Sequence, residues 1–85
     1  MPQHAPAPEE TSVRVSLGRR IREIRRAQGV SQEELAHKSG LDRSYVGCVE
    51  RGERNVSIDN ITALARALSV PIAALVTFPD EEPGE

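Results

Sequence analysis

The chain has 85 residues, enough for one small domain. Its net charge of −2 hides an uneven spread: all 11 bases, ten of them Arg, lie in residues 13–78 against seven acids, a net +4, and the two ends hold the other six acids. No apolar run approaches the about 18 residues of a membrane helix, no basic stretch leads into an apolar one as in a secretory signal, and one cysteine with two histidines offers neither an intrachain disulfide nor a reasonable metal site.

Residues 1–12 hold three prolines and almost no large apolar side chain, and read as a disordered N-terminal arm. A first helix is expected over about 15–28, where Leu17, Ile21, Ile24 and Gln28 recur at helical spacing and Gly29 closes it. Arg19, Arg20, Arg22 and Arg26 fill its other faces and read as mainly solvated. Ser31 and Glu34 form a capping-box pattern at the start of a second, short helix over 32–39. Asp42 is placed to cap a third helix over about 43–51, with Val46 and Val49 inward and Gly52 as its stop. Ser57 is placed to cap a fourth over 58–68, striped by Ile58, Ile61, Leu64, Ala65 and Leu68.

Pro71 suits the first turn of a fifth helix, about 71–77. Its side chains are nearly all apolar, so more than one side needs cover. Leu64 and Leu68 can supply one cover, through Ile72 and Leu75. A second copy of the chain can supply the other, and Ile72, Val76 and Phe78 are the candidate dimer-interface residues. Residues 79–85, with four acids and no base, read as an acidic disordered tail. No segment alternates with period two. The expected fold is an all-α five-helix bundle, with residues 13–78 as its one domain.

Helices two and three carry the functional signal. Ala36 fits where two helices cross closely, Gly40 fits a left-handed turn, and Val46 anchors the following helix inward. This is the pattern of a helix-turn-helix, whose second helix enters the DNA major groove. The spacing alone is equally compatible with a plain helical hairpin. With Tyr45 and Phe78 as the only aromatics, there is no stacking platform for single-stranded bases. No Ser/His/Asp, Cys/His or paired-carboxylate arrangement suggests an enzyme, and no cofactor is expected.

Ile24-Arg25 before Gly29, Ser31-Gln32-Glu33-Glu34-Leu35-Ala36, Gly40, Val46, Val49-Glu50-Arg51-Gly52 and Leu64-Ala65 with Leu68 and Val70 occur in an order that resembles the Cro/repressor-type helix-turn-helix family over residues 17–77. Within it, Leu41-Asp42-Arg43-Ser44-Tyr45 and Glu50-Arg51-Gly52-Glu53-Arg54-Asn55 look most like the controller proteins of restriction–modification systems. The resemblance implies a sequence-specific duplex-DNA-binding transcriptional regulator, a cytoplasmic homodimer acting on a two-fold-related operator as repressor or activator. RNA polymerase is a further partner it allows. No residues remain for a small-molecule effector domain, so control is expected to follow the regulator's own concentration.

The site residues follow from that resemblance and from chemistry. Arg43 and Ser44 open the third helix, where side chains reach base edges, and Arg43 can pair bidentately with guanine. Tyr45 either contacts DNA or covers the core edge. Gly47 allows close approach to DNA or to the second helix. Cys48 either sits small against a base or backbone, or acts as a redox-sensing thiol. Gln32, Arg51, Arg54 and Asn55 are candidate phosphate contacts. The resemblance makes Arg25 and Glu50 a partly buried ion pair that orients the third helix. A second function, an antitoxin-like protein-interaction module with weak DNA binding, remains open at this point.

Overall fold

Five helices follow in chain order: α1 Pro8–Ala27, α2 Gln32–Ser39, α3 Arg43–Glu50, α4 Ile58–Ala67 and α5 Ile72–Leu75. The computed structural model describes residues 8–78, with side chains described from Val13 onward. Among these residues there is no strand. The core is filled by Leu17 and Ile21 of α1, Leu35 and Ala36 of α2, Val46 and Val49 of α3, Leu64 and Ala65 of α4, with Leu68 and Leu75. α1 packs on α3 and α5, α2 on α3 and α4, and α4 on α5. The two short helices α2 and α3 are thus held on both sides, which short helices require because isolated ones are marginal in water.

Local chemistry fixes most boundaries. Ser31 Oγ accepts from the Glu34 amide at 3.0 Å, and the Glu34 carboxylate accepts from the Ser31 amide at 3.1 Å, so the capping box is complete. Gly40 ends α2 at φ 74°, with the Leu41 amide closing back on the Ala36 carbonyl at 3.1 Å. Ser57 caps α4 through the Asn60 amide at 3.1 Å. The end of α4 closes the same way as α2, with Ser69 at φ 56° in the place glycine usually takes and the Val70 amide on the Ala65 carbonyl at 3.0 Å.

Four expectations are corrected. α1 begins at Pro8, not near residue 15, so residues 8–12 of the expected arm belong to the helix. Proline is well suited to a first helical turn, whose amides lack partners anyway. The remainder of the arm, residues 1–7, and the acidic tail, residues 79–85, lie outside the described residues. Asp42 occupies the N-cap position of α3, but its carboxylate accepts the Ser44 hydroxyl at 2.9 Å and caps no amide. The fifth helix is only four residues long. Only Leu75 of the expected inward pair is buried; Ile72 is exposed.

The fourth correction concerns Arg20 and Arg22, which are not simply solvated. Arg20 Nε donates to the Ala74 carbonyl at 2.9 Å and ties α1 to α5. Arg22 Nε lies 3.7 Å from the Glu50 carboxylate.

Gly18, which the helical pattern treats as an unremarkable interior position, is where α1 crosses the end of α3. A β-carbon there would collide with the backbone carbonyl oxygens of Val49 and Glu50. Backbone cannot swing aside as a long side chain can. Gly18→Ala is therefore expected to destabilise the domain by roughly 1–3 kcal/mol, although Ala is the better helix former. Thermal melting checks this, and an unchanged or raised midpoint would mean that α1 can slide outward freely.

Candidate nucleic-acid interface

α3 divides into two faces. Val46, Gly47, Val49 and Glu50 are buried, Arg43 and Ser44 are exposed, and Tyr45 and Cys48 are half-buried along the boundary. The inward apolar pair Val46 and Val49 sets this rotation, since both side chains are removed from water against α1 and α2. The outward wall borders an open groove of about 460 Å³, lined by Leu41, Asp42, Ser44, Tyr45, Cys48, Arg54 and Asn60.

Beneath that wall, Glu50 is the anchor. Its side chain is fully removed from solvent and meets Arg25 of α1 in a two-pronged pair, Nε to Oε2 at 2.7 Å and Nη2 to Oε1 at 2.9 Å. Arg25 Nη1 also donates to the Val30 carbonyl at 3.0 Å, and Gln32 Nε2 donates to Glu50 Oε1 at 3.0 Å. Burial pushes the Glu50 carboxyl up, but the hydrogen bonds from Arg25 and Gln32 outweigh it and hold the group below the usual carboxylate range. The same hydrogen bond to Glu50 raises Arg25. The pair locks the C-terminal end of α3 to α1, and Gln32 adds α2, so one carboxylate fixes both helices of the helix-turn-helix.

The expected contact residues are distributed unevenly over this frame. Arg43 is exposed and has no ion pair or hydrogen bond among the described residues. Ser44 is exposed, with its hydroxyl engaged by Asp42. Gly47 is buried, and an added methyl would stand 3.3 Å from Arg51 Nη1 and 3.7 Å from Gln32 Oε1. The Gln32 oxygen is at ordinary contact distance and the Arg51 nitrogen is the far end of a flexible side chain, so packing within the protein does not by itself demand glycine here. Cys48 is half-buried and receives an Arg51 N–H at 3.5 Å.

Gln32 spends one amide hydrogen on Glu50 and keeps a second at the start of α2. Arg51 is exposed but paired with Glu53 at 3.0 Å, so an anion would have to displace that carboxylate. Arg54 lies over the Tyr45 ring, its guanidinium carbon 5.3 Å from the centroid. Asn55 is exposed and lines a second, more apolar groove with Val13, Arg14, Val56, Val76 and Phe78. Asn60 of α4 lines the first groove as well. Its side chain donates to the Tyr45 hydroxyl at 3.0 Å, a contact no local pattern signals. Among the described residues no group of acids, histidines and cysteines could hold a metal ion, and no helix is long and apolar enough to cross a membrane.

A helix-turn-helix family model matches residues 21–75, which include all of α2 to α5 and the end of α1. The chain belongs to the helix-turn-helix family of DNA-binding transcriptional regulators. It is 41% identical over 68 residues to the control protein C.BamHI of Bacillus amyloliquefaciens, covering 79% of this chain and 84% of that protein. The crystal structure of the restriction-modification controller protein C.AhdI from Aeromonas hydrophila superposes with a TM-score of 0.71 at 61% identity, over 72% of this chain and 92% of that one. The controller protein C.Esp1396I, solved as a tetramer in complex with its natural 35 base-pair operator, matches with a TM-score of 0.70 at 33% identity, over 74% and 83%. The helix-turn-helix and its resemblance to controller proteins, both expected from the sequence, are therefore present.

Proposed function

We propose that the protein is a controller-type regulator that binds a two-fold-related operator as a homodimer, with α3 of each copy in the major groove. The observation that carries this is Arg43. It stands exposed at the first turn of α3, with no hydrogen bond or ion pair among the described residues, on a helix whose far end the buried Arg25–Glu50 pair fixes to α1. Arg43 and Ser44 are then the base-reading residues, with Tyr45 and Cys48 on the wall behind them. Gln32, Arg54 and Asn55 are placed for the backbone, joined by Arg51 once Glu53 yields. Two such copies on one operator allow cooperative occupancy, which makes the regulator's own concentration the control variable. RNA polymerase is the partner through which an adjacent site would activate.

Selecting bound duplexes from a random-sequence pool tests the reading. It should yield a two-fold-related sequence with half-sites about one helical turn apart. Recovery of unrelated sequences would remove it. Arg43→Ala should then weaken binding to the selected duplex by about 1–3 kcal/mol per half-site and relax preference at one position. Equal loss on selected and random duplex would make Arg43 a phosphate contact instead.

A further inference from the structure

We infer that Asn60, outside the helix-turn-helix, is a positioning residue for DNA recognition: it holds the Tyr45 hydroxyl so that the phenol's own hydrogen and the Arg54 guanidinium above the ring face the groove together.

Three observations meet here. The Asn60 backbone is fixed first, because its amide is the one that Ser57 caps at the start of α4. Its side-chain amide then donates to Tyr45 Oη at 3.0 Å, across from α4 to α3. Finally, Arg54 stacks over the same ring at 5.3 Å and has no carboxylate partner among the described residues. Tyr45, Arg54 and Asn60 all line the groove beside α3.

The polarity of the bond matters. A phenol has one hydrogen and accepts through its oxygen. With Asn60 as donor, the phenol accepts inward, and its hydrogen stays available to an acceptor on the DNA. Restricting the ring also restricts Arg54, since a guanidinium on an aromatic face moves with that face. Side-chain freedom that would be lost on binding is lost already on folding. Arg54 can then present N–H groups at the groove with less ordering left to do.

This inference rests on the DNA-binding reading for its purpose, but the hold on Tyr45 is testable without DNA. Tyr45 is the only tyrosine and there is no tryptophan. The tyrosine band in near-ultraviolet circular dichroism therefore reports this ring alone. Asn60→Ala should largely abolish the band while the thermal transition persists. On a duplex selected by the wild type, Asn60→Ala and Tyr45→Phe should each bind about tenfold more weakly, and the double variant also about tenfold, not a hundredfold, more weakly. Asn60→Gln keeps a donor one methylene further out and should recover most of the affinity and the band. Should Asn60→Ala not fold, Asn60→Gln and Tyr45→Phe decide by the same two readouts.

An unchanged tyrosine band in Asn60→Ala, or additive losses in the double variant, would overturn the inference. A wild type that binds no duplex would instead remove the DNA-binding reading, with the dichroism still deciding whether Asn60 holds Tyr45. The acceptor is also distinguished: if it belongs to a base, Tyr45→Phe relaxes one operator position, and if it belongs to a phosphate the loss is uniform across sequences.

Discussion

Arg25→Leu is expected to cost about 3–5 kcal/mol, because it takes the two-pronged partner from a Glu50 carboxylate that is closed to solvent and leaves it only the Gln32 amide and the more distant Arg22. A domain of this size has little stability in reserve, so most of the variant should be unfolded near physiological temperature. Glu50→Gln should cost less, since Gln32 and Arg25 can still donate to the amide oxygen. The sign of the pH dependence follows from the lowered Glu50 carboxyl. The folded state binds this proton less readily than the unfolded chain, whose glutamate sits near the ordinary value of 4.5. The stabilisation is fully present above that value and is lost as pH falls through the lower, folded one. Urea unfolding at a series of pH values should show the wild type weakening below about pH 4.5, with a shallower loss in Glu50→Gln. Matching slopes for the two proteins would assign the acid sensitivity to other carboxylates.

That pair shows what kind of information the sequence carried. Arg25 and Glu50 were identified because they stand in a recurring family pattern, and α2, its turn and α3 because each boundary has its own local chemistry in Ser31, Glu34 and Gly40. Signals of that sort act within one turn of chain and can be read directly. The start of α1 was obscured by prolines, which mark loops and first helical turns alike. Asp42 looked like a cap until Ser44, two residues on, competed for its carboxylate. Gly18, Arg20 and Asn60 were missed for a common reason. Their partners lie far along the chain: Gly18 meets the Val49 and Glu50 carbonyls, Arg20 the Ala74 carbonyl, and Asn60 the Tyr45 hydroxyl. Periodicity gives the face a residue occupies but not the atom it meets there. At the recognition wall this separates the exposed Arg43 from the buried Gly47, which stand on one helix one turn apart.

Val76→Asp is expected to convert the proposed dimer to a folded monomer and to weaken operator binding by at least about a hundredfold, the scale of avidity gained when two linked modules bind together. Within one copy, α5 buries Leu75 completely, and Arg20 secures the Ala74 carbonyl, so the helix is anchored without help from Ile72 or Val76. Those two remain 38% and 45% exposed, and Val13, in the same groove as Val76, is 48% exposed. Phe78 packs against its own core and leaves only part of its ring for a partner, so Ile72 and Val76 carry more of the proposed interface than Phe78 does. A two-fold axis beside α5 would set each copy's exposed pair against the other's, removing apolar surface from water on both sides at once. An aspartate at residue 76 would bring two like charges close to that axis. It would cost the monomer little, because the position is already wet. Sedimentation at micromolar concentration should therefore show a dimeric wild type and a monomeric variant that still melts cooperatively, at a midpoint lowered by no more than the lost association accounts for. A variant that still sediments as a dimer would move the interface away from α5. The exposed Ile58 at the start of α4, 66% accessible, would then be the next surface to alter.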